Sequence, residues 1–299
     1  MTATVARRAP CLLALLATGC AHLAPPNQPT PLDPAMPNEP VLFAHLRRLC
    51  AQAPITVAHR GDSGGFPENT LPAFAAALAA GAPMVELDFH ATADGVLVCI
   101  HDETLDRTTD AAQVFGRERI EVAATNASAL AQLDAGQWKG PGHAGATVPT
   151  LADALALIQT KATTMIEHKA GSAEALVELL RRLKLVERVL VQSFDWDFVA
   201  RVHRLEPRIA LGALGDGSLS PQRLAALPAT GAHLVHWDVR SLRAEDVATL
   251  HERGYLVCVY TANDDVSLVG ASALGIDAIT TNHPARLLAL IASGVATRR

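Results

Sequence analysis

The stretch Met84-Val85-Glu86-Leu87-Asp88-Phe89 alternates between apolar and acidic side chains, which is the pattern of a β-strand. Successive side chains of a strand point to opposite faces, so Glu86 and Asp88 share one face and the apolar residues share the other. Two carboxylates about 7 Å apart on one face repel each other and lose hydration unless a positive group joins them. A hard divalent cation is the natural partner, because Mg²⁺ and Ca²⁺ prefer oxygen ligands. Bonding of both carboxylates to arginines is the alternative.

Other short apolar runs also have the length of strands, and alanine- and leucine-rich helical patterns fit between them. These further candidate strands are Ile55–Ala58, Thr164–His168, Val189–Gln192, Ile209–Ala213, Leu234–Trp237, Leu256–Tyr260 and Ala278–Thr281. One more run, Val96–Ile100, follows an Asp-Gly turn that is too short for a parallel crossover, so it is predicted to run antiparallel. Strands that alternate with helices in this number predict an α/β fold, a (β/α)8 TIM barrel. Residues 103–147 are predicted to be a small insertion after the second strand and its hairpin.

Polar side chains collect where these apolar strands end. In a (β/α)8 barrel the active groups lie at the carboxyl ends of the strands. His59 and Arg60 follow the first strand, and His101 follows the return strand of the hairpin. Glu167 and Lys169 lie at the end of the third parallel strand, so Glu167 is the candidate for a third cation ligand.

Together these groups point to a phosphodiester substrate. Arg60 suits bidentate contact with a phosphate, and Lys169 would act on it as a point charge. His59 and His101, placed beside a metal, can serve as general base and general acid. The anionic oxygens of a phosphodiester need neutralising charge and its leaving alkoxide needs a proton. Either histidine fits either role at this stage.

The composition limits the class of protein. Of the 299 residues, 49% are hydrophobic and 18% are charged, which suits a chain with a large core and excludes a wholly disordered one. The net charge of -5, from 25 basic and 30 acidic residues, argues against a nucleic-acid partner. Cys99 and Cys258 lie in strand-like runs, and both are expected to be buried thiols.

The first 40 residues have the composition of a targeting segment. Residues 1–19 carry two arginines, a short apolar run and small residues before Cys20, which predicts a signal peptide. The segment resembles a bacterial lipoprotein signal, in which the cysteine is lipidated; ordinary export is the alternative, since Ala17 stands where leucine is usual. Prolines crowd residues 20–40, which predicts an extended spacer before a barrel over residues 41–299. We expect an exported protein, periplasmic or anchored to the outer membrane through a lipidated Cys20.

A long ordered set of short motifs runs from about residue 54 to residue 290. In chain order they are His59-Arg60-Gly61, Pro67-Glu68-Asn69-Thr70, Glu86-Leu87-Asp88, Thr92-Ala93-Asp94-Gly95, His101-Asp102, Asp134-Ala135-Gly136 with Trp138, Val148-Pro149-Thr150-Leu151, Glu167-His168-Lys169, Gln192-Ser193-Phe194 and Gly275-Ile276-Asp277-Ala278-Ile279-Thr280-Thr281. In this order the motifs resemble the glycerophosphodiester phosphodiesterase family. The chain departs from the family's pattern at His168, Tyr260 and Asn282, and by alternation His168 is expected to point away from its neighbours.

The resemblance implies a (β/α)8 barrel enzyme that hydrolyses glycerophosphodiesters to an alcohol and sn-glycerol 3-phosphate with one divalent cation, Ca²⁺ or Mg²⁺. The roles it implies are metal ligands at Glu86, Asp88 and Glu167, an acid–base pair at His59 and His101, phosphate contacts at Arg60 and Lys169, and supporting positions at Glu68, Asn69 and Gln192. The nucleophile is water, or the substrate's own glycerol hydroxyl through a cyclic phosphate.

Two rival functions remain at this stage. Phospholipase D-like action on lysophospholipids or sphingolipids would favour a large apolar rim, for which Phe66, Phe89, Phe115 and Trp138 are the candidates. A surface lipoprotein that binds a ligand without turnover is the non-enzymatic rival, because a fold alone does not determine function. The presence of every expected ligand and both histidines argues against it.

Overall fold

Within residues 1–2 and 39–297, which the computed structural model describes, nine strands form one sheet. They are β1 (Ile55–Ala58), β2 (Met84–Ala91), β3 (Leu97–Cys99), β4 (Thr163–His168), β5 (Val189–Ser193), β6 (Ala210–Gly215), β7 (Leu234–Asp238), β8 (Leu256–Tyr260) and β9 (Ala278–Thr281). The sheet closes because β1 pairs in parallel with both β2 and β9. Only β3 runs antiparallel, against the end of β2. The predicted TIM barrel and its hairpin are confirmed.

The predicted strand limits differ from those in the structure by two residues at most. The second strand continues to Ala91 because Phe89–Ala91 pairs with the hairpin strand. The fifth parallel strand, β6, runs from Ala210 to Gly215 instead of from Ile209 to Ala213, because Gly215 still pairs with Trp237. A Cβ at position 215 would lie 2.2 Å from the Trp237 ring, so the strand can continue there only with glycine.

Helices connect the strands and form the outer layer. They are α1 (Val41–Leu49), α2 (Leu71–Ala80), α3 (Ala111–Phe115), α4 (Ala127–Leu130), α5 (Leu151–Ile158), α6 (Ala173–Leu183), α7 (Trp196–Leu205), α8 (Pro221–Thr230), α9 (Ala244–Glu252), α10 (Asp265–Ala273) and α11 (Pro284–Ala292). The side chains of Thr70, Thr150 and Ser220 cap the amino ends of α2, α5 and α8. In the described part of the chain, no helix combines the length and apolar character needed to cross a membrane.

The barrel interior is apolar towards the amino ends of the strands. Inward-facing residues such as Met84, Met165 and Leu190 form one cluster with Phe43 and Leu46 of α1. Helix α1 therefore closes the amino end of the barrel with its apolar face. The polar inward positions lie further along the same strands, at the carboxyl ends.

The insertion has a small apolar core of its own. Leu105, Ile120, Leu130 and Leu133 are buried and pack with Val98 of the hairpin. Residues 103–147 contain short helices, turns and one isolated antiparallel bridge between Thr104 and Glu121, and none of the barrel strands. The insertion is thus built onto the hairpin that extends β2.

Replacing Phe43 by alanine should destabilise the protein, because Phe43 is fully buried in the layer that closes the barrel. We expect a loss of about 3–5 kcal/mol in the free energy of unfolding, the usual range for a phenylalanine removed from a core. Urea denaturation followed by circular dichroism measures this loss. Val41→Ala on the exposed face of α1 is the matched control and should change stability by less than about 0.5 kcal/mol. Equal effects of the two changes would show that α1 does not close the barrel.

Candidate active site

A cleft of about 510 Å³ opens at the carboxyl ends of the barrel strands. The predicted site residues in its lining are His59, Arg60, Glu86, His101, Glu167 and Lys169. The other lining residues are Phe194, Leu214, His236, Asp238, Arg240, Tyr260, Thr261 and Thr280. The fold therefore brings together groups from β1, β2, β4 and the hairpin that are more than a hundred residues apart in the chain.

Three buried carboxylates, those of Glu86, Asp88 and Glu167, form the centre of the site. One oxygen of each lies within 4.8 Å of the others, so a single ion could contact all three. The register of the sheet produces this grouping, because Asp88 on β2 lies directly beside Glu167 on β4. Glu86 Oε1 and Asp88 Oδ1 are buried and accept no hydrogen bond. Buried carboxylate oxygens that accept no hydrogen bond are costly, and hard cations prefer oxygen ligands.

Two cations offset part of this negative charge. Arg60 Nε lies 3.1 Å from Asp88 Oδ2, and Lys169 Nζ lies 3.4 Å from Asp88 Oδ1 while it also pairs with Glu167. The Arg60 backbone N–H donates to Glu86 Oε2 at 2.9 Å. The alternative of carboxylates bonded to arginine therefore describes Asp88 in part, but it leaves the second oxygen of Glu86 without a partner.

The pKa values of the three carboxylates move in different directions. Burial and the charge of Asp88 raise the pKa of Glu86 well above its usual value, and the same two causes raise the pKa of Glu167 to about 7. Burial would also raise the pKa of Asp88, but Arg60 and Lys169 lower it below its usual value. The raised pKa values of Glu86 and Glu167 mean that the two cations of the chain do not fully stabilise three ionised carboxylates, which together carry one excess negative charge. The residues present therefore fit a divalent cation.

The two histidines are each oriented by one polar partner. His59 Nδ1 lies 2.6 Å from Asn282 Oδ1, and because an amide oxygen only accepts, Nδ1 carries the proton. His101 Nδ1 lies 2.7 Å from Asp102 Oδ1, so the same argument places its proton on Nδ1. Burial, with the charge of Arg60, lowers the pKa of His59 to about 4, and burial also lowers the pKa of His101. Both imidazoles are therefore neutral at pH 7 and keep Nε2 available as a base.

The turn after β1 has a shape that its sequence requires. Arg60 adopts a left-handed backbone with φ of 55°, followed by Gly61 with φ of 84°. A Cβ at position 61 would lie 2.6 Å from the Ala73 carbonyl carbon, so only glycine fits where the turn crosses α2. This turn directs both the side chain and the backbone N–H of Arg60 at the carboxylates.

The predicted supporting residues lie behind the cleft. Asn69 Nδ2 donates to Asp88 Oδ2 at 2.8 Å, and the backbone N–H of Asp88 donates to Asn69 Oδ1 at 3.1 Å. Glu68 Oε1 accepts a hydrogen bond from the Arg60 guanidinium at 2.8 Å. Gln192 does not line the cleft; it is buried, and its Oε1 accepts from His236 Nδ1 at 2.8 Å. Asn69 and Glu68 thus hold cleft residues directly, whereas Gln192 holds a histidine of the cleft floor.

Four side-chain hydrogen-bond partners of the predicted site residues were not themselves predicted: Asp102, Arg107, His236 and Asn282. Asp102 directly follows His101, and that adjacency was a usable signal for an orienting carboxylate. Asn282 directly follows the last strand, so its position at the mouth was predictable, but its pairing with His59 depends on closure of the barrel. Arg107 and His236 carry no local signal, because their partners come from distant segments.

Three expectations about individual residues are tested by the structure. His168 points away from the cleft and stacks on Phe198 with ring centroids 3.6 Å apart, as predicted. Cys99 and Cys258 are buried, as predicted. Phe89 was wrong as a candidate for an apolar rim, because the strand turns it outward into the core, where it is fully buried. The other rim candidates remain at least partly accessible.

The barrel places at one cleft the acidic groups, cations and histidines that phosphodiester hydrolysis requires. The model of the "Glycerophosphoryl diester phosphodiesterase family" matches residues 59–286, and the chain belongs to this family. The fold and the family agree with the expectation from the sequence motifs.

Relatives cover most of the chain. It is 32% identical over 251 residues to a glycerophosphodiester phosphodiesterase of Caldanaerobacter subterraneus, over 80% of this chain and 98% of the relative. A glycerophosphodiester phosphodiesterase of Bacillus subtilis is 31% identical over 252 residues, over 77% of this chain and 84% of the relative. The solved structure of an Oleispira antarctica phosphodiesterase in complex with the product sn-glycerol-3-phosphate has a TM-score of 0.73 and 28% identity, over 80% of this chain and 97% of that chain.

Adding Ca²⁺ or Mg²⁺ to protein stripped with a chelator should raise its thermal unfolding temperature, because the ion joins carboxylates that otherwise repel each other. At 100 times the dissociation constant the gain is about 2.7 kcal/mol. Glu86→Gln should lose most of this gain and should itself be more stable than wild type without the ion. Glu118→Gln, which changes an exposed carboxylate of the insertion, is the control. An equal gain in all three proteins would place the ion elsewhere.

Proposed function

We propose that this chain catalyses the metal-dependent hydrolysis of glycerophosphodiesters to an alcohol and sn-glycerol 3-phosphate. The observation that carries the proposal is a cluster of three carboxylates at one cleft, whose lining contains two of them together with two cations and two neutral histidines. The family supports the reaction class, and the product complex of the Oleispira phosphodiesterase supports glycerol 3-phosphate as the group retained after cleavage.

The charge of the site favours a phosphodiester. The net charge of the site is minus one when its carboxylates are ionised. It comes from the three carboxylates of Glu86, Asp88 and Glu167 and the two cations of Arg60 and Lys169. Ca²⁺ or Mg²⁺ held by the three carboxylates would bring the sum to one positive charge, which a singly charged phosphodiester neutralises. When bound, the ion supplies positive charge to a nonbridging oxygen of the phosphate. Arg60 and Lys169 are placed to share that charge.

The partners of the two histidines support different roles for them. His59 has an uncharged amide partner and a pKa lowered to about 4, so its Nε2 is free to accept a proton at neutral pH. His101 has the carboxylate of Asp102 as partner, and a carboxylate stabilises the imidazolium form from which a proton can be given. We assign His59 as the general base and His101 as the general acid.

The proton transfers then follow the bond changes at phosphorus. The nucleophile loses its proton to His59 Nε2 as its oxygen bonds to phosphorus, and the bond to the head-group oxygen breaks. His101 first takes up a proton on Nε2 from solvent, which forms the imidazolium beside Asp102. The leaving oxygen then takes this Nε2 proton and departs as the alcohol. Water as nucleophile places one solvent oxygen in the glycerol 3-phosphate directly. The glycerol hydroxyl as nucleophile would form a cyclic phosphate first, so hydrolysis in ¹⁸O-labelled water with a search for that intermediate separates the two.

The protein stripped of metal and then supplied with Ca²⁺ or Mg²⁺ should release glycerol 3-phosphate from glycerophosphocholine. His59→Ala and His101→Ala should each lower kcat by about 10²–10⁴-fold, the usual contribution of one acid or base. His45→Ala on the exposed side of α1 is the control and should retain wild-type turnover. Near wild-type turnover in both cleft variants would contradict the acid–base assignment.

The reaction itself has a separate test with the wild-type protein. Absence of glycerol 3-phosphate from any glycerophosphodiester, in folded and metal-loaded protein, would overturn the proposed function. Release of choline from lysophosphatidylcholine under the same conditions would instead support the phospholipase D-like rival.

We also propose that the protein is exported and attached to a membrane through a lipidated Cys20. Support comes from the signal pattern and the proline-rich spacer alone, since residues 3–38 lie outside the described residues. Labelling of cells with a fatty-acid analogue should modify the wild-type protein and not Cys20→Ser. Cys258→Ser, which changes a buried thiol, is the control. Export of an unlabelled wild-type protein would favour an ordinary cleaved signal.

A further inference from the structure

The insertion contributes one side chain that reaches the back of the cleft. Arg107 Nε donates to Asp102 Oδ2 at 2.6 Å, and its NH2 donates to Asp102 Oδ1 at 2.9 Å. On its other side, NH2 donates to Glu68 Oε1 at 2.7 Å and NH1 donates to Glu68 Oε2 at 3.1 Å. One guanidinium thus binds both oxygens of two different carboxylates.

Each of these carboxylates also holds a group of the cleft. Asp102 accepts from His101 Nδ1 at 2.7 Å, and Glu68 accepts from Arg60 NH1 at 2.8 Å. The result is a continuous chain of contacts from His101 through Asp102, Arg107 and Glu68 to Arg60. Its charged members alternate in sign, so every neighbour in the chain attracts the next.

The backbone around Arg107 is held in place by the insertion. The preceding residue, Asp106, accepts hydrogen bonds from the backbone N–H groups of Arg119 and Ile120. Leu105 is fully buried, and its carbonyl accepts from the Thr109 hydroxyl at 2.6 Å. The hydrogen bonds of the insertion therefore fix the backbone from which the Arg107 guanidinium extends.

We propose that Arg107 is a positioning residue that sets the relative placement of the acid-base residue His101 and the phosphate-binding residue Arg60. Without its guanidinium, the carboxylates of Glu68 and Asp102 would face each other with no cation between them and would repel. Both would then shift, and the groups they hold would shift with them. The inference rests on the proposed function for its catalytic consequence, while the contacts themselves are independent of the reaction.

Arg107→Ala should lower kcat for glycerophosphocholine by about 10–100-fold, the usual effect of losing an outer partner in such a site. KM should change by less than about threefold, because Arg60 keeps its pair with Asp88 and Arg107 itself is proposed not to touch substrate. Arg117→Ala removes the same charge from an exposed position of the insertion and should leave both constants unchanged.

Two further measurements separate positioning from a general structural effect. Added guanidinium should restore part of the kcat of Arg107→Ala, because the Arg107 side chain is 45% exposed and its place is open to solvent. Arg107→Lys keeps the charge but loses the fork that binds two carboxylates, so it should fall between wild type and alanine. In the Glu68→Gln/Asp102→Asn background, Arg107→Ala should have little added effect, since the groups that it joins are gone.

A readout that does not depend on activity completes the test. The ¹⁵N spectrum of the His101 ring, assigned by its loss in His101→Gln, should show protonated Nδ1 in wild type and a mixture of tautomers in Arg107→Ala. If wild type hydrolyses no glycerophosphodiester, the proposed function fails while this spectrum still tests the contact chain. A raised KM with unchanged kcat would overturn the proposal in favour of a substrate contact. Equal behaviour of the Arg107 and Arg117 variants, or an unchanged His101 spectrum, would also overturn it.

Discussion

Mutual repulsion of three buried carboxylates is the constraint on which the rest of the site depends. Glu86, Asp88 and Glu167 are each less than a tenth exposed, and their nearest oxygens lie within 4.8 Å of one another. Such a group is unfavourable in a protein interior unless positive charge surrounds it. The chain itself supplies only part of that charge, through Arg60 and Lys169. The remaining deficit makes the cleft receptive to a divalent cation and, with it, to an anionic substrate.

The barrel can tolerate this unfavourable group of charges because its two ends differ in composition and function. Towards the amino ends, residues such as Met84 and Met165 pack with α1 into an apolar cluster that contributes stability. Towards the carboxyl ends, the same strands carry Glu86 and Glu167 into the cleft. One rigid sheet therefore joins a stabilising core to a destabilising site. The spacing of the strands determines the spacing of the side chains in the site.

The loops add orientation to the spacing that the strands provide. Asn282 at the end of β9 orients His59, and Asp102 beside the hairpin orients His101, so the two imidazoles differ in the charge of their partners although both are neutral. The insertion adds Arg107, whose contacts extend from the hairpin to the turn after β1. A segment without any barrel strand thus becomes part of the support of the site.

Local patterns in the amino-acid sequence were enough to predict the strand count, the hairpin and the positions of Glu86, Asp88 and Glu167, because strand alternation and strand ends can be recognised within a single segment. They also indicated His59 and His101, since each directly follows an apolar strand. Only the tertiary structure decided that Asn282 meets His59 and that Arg107 meets Glu68, 39 positions away in the chain. Those contacts depend on closure of the barrel and on the fold of the insertion. A local pattern of residues cannot predict them, because it does not show which distant segments come together.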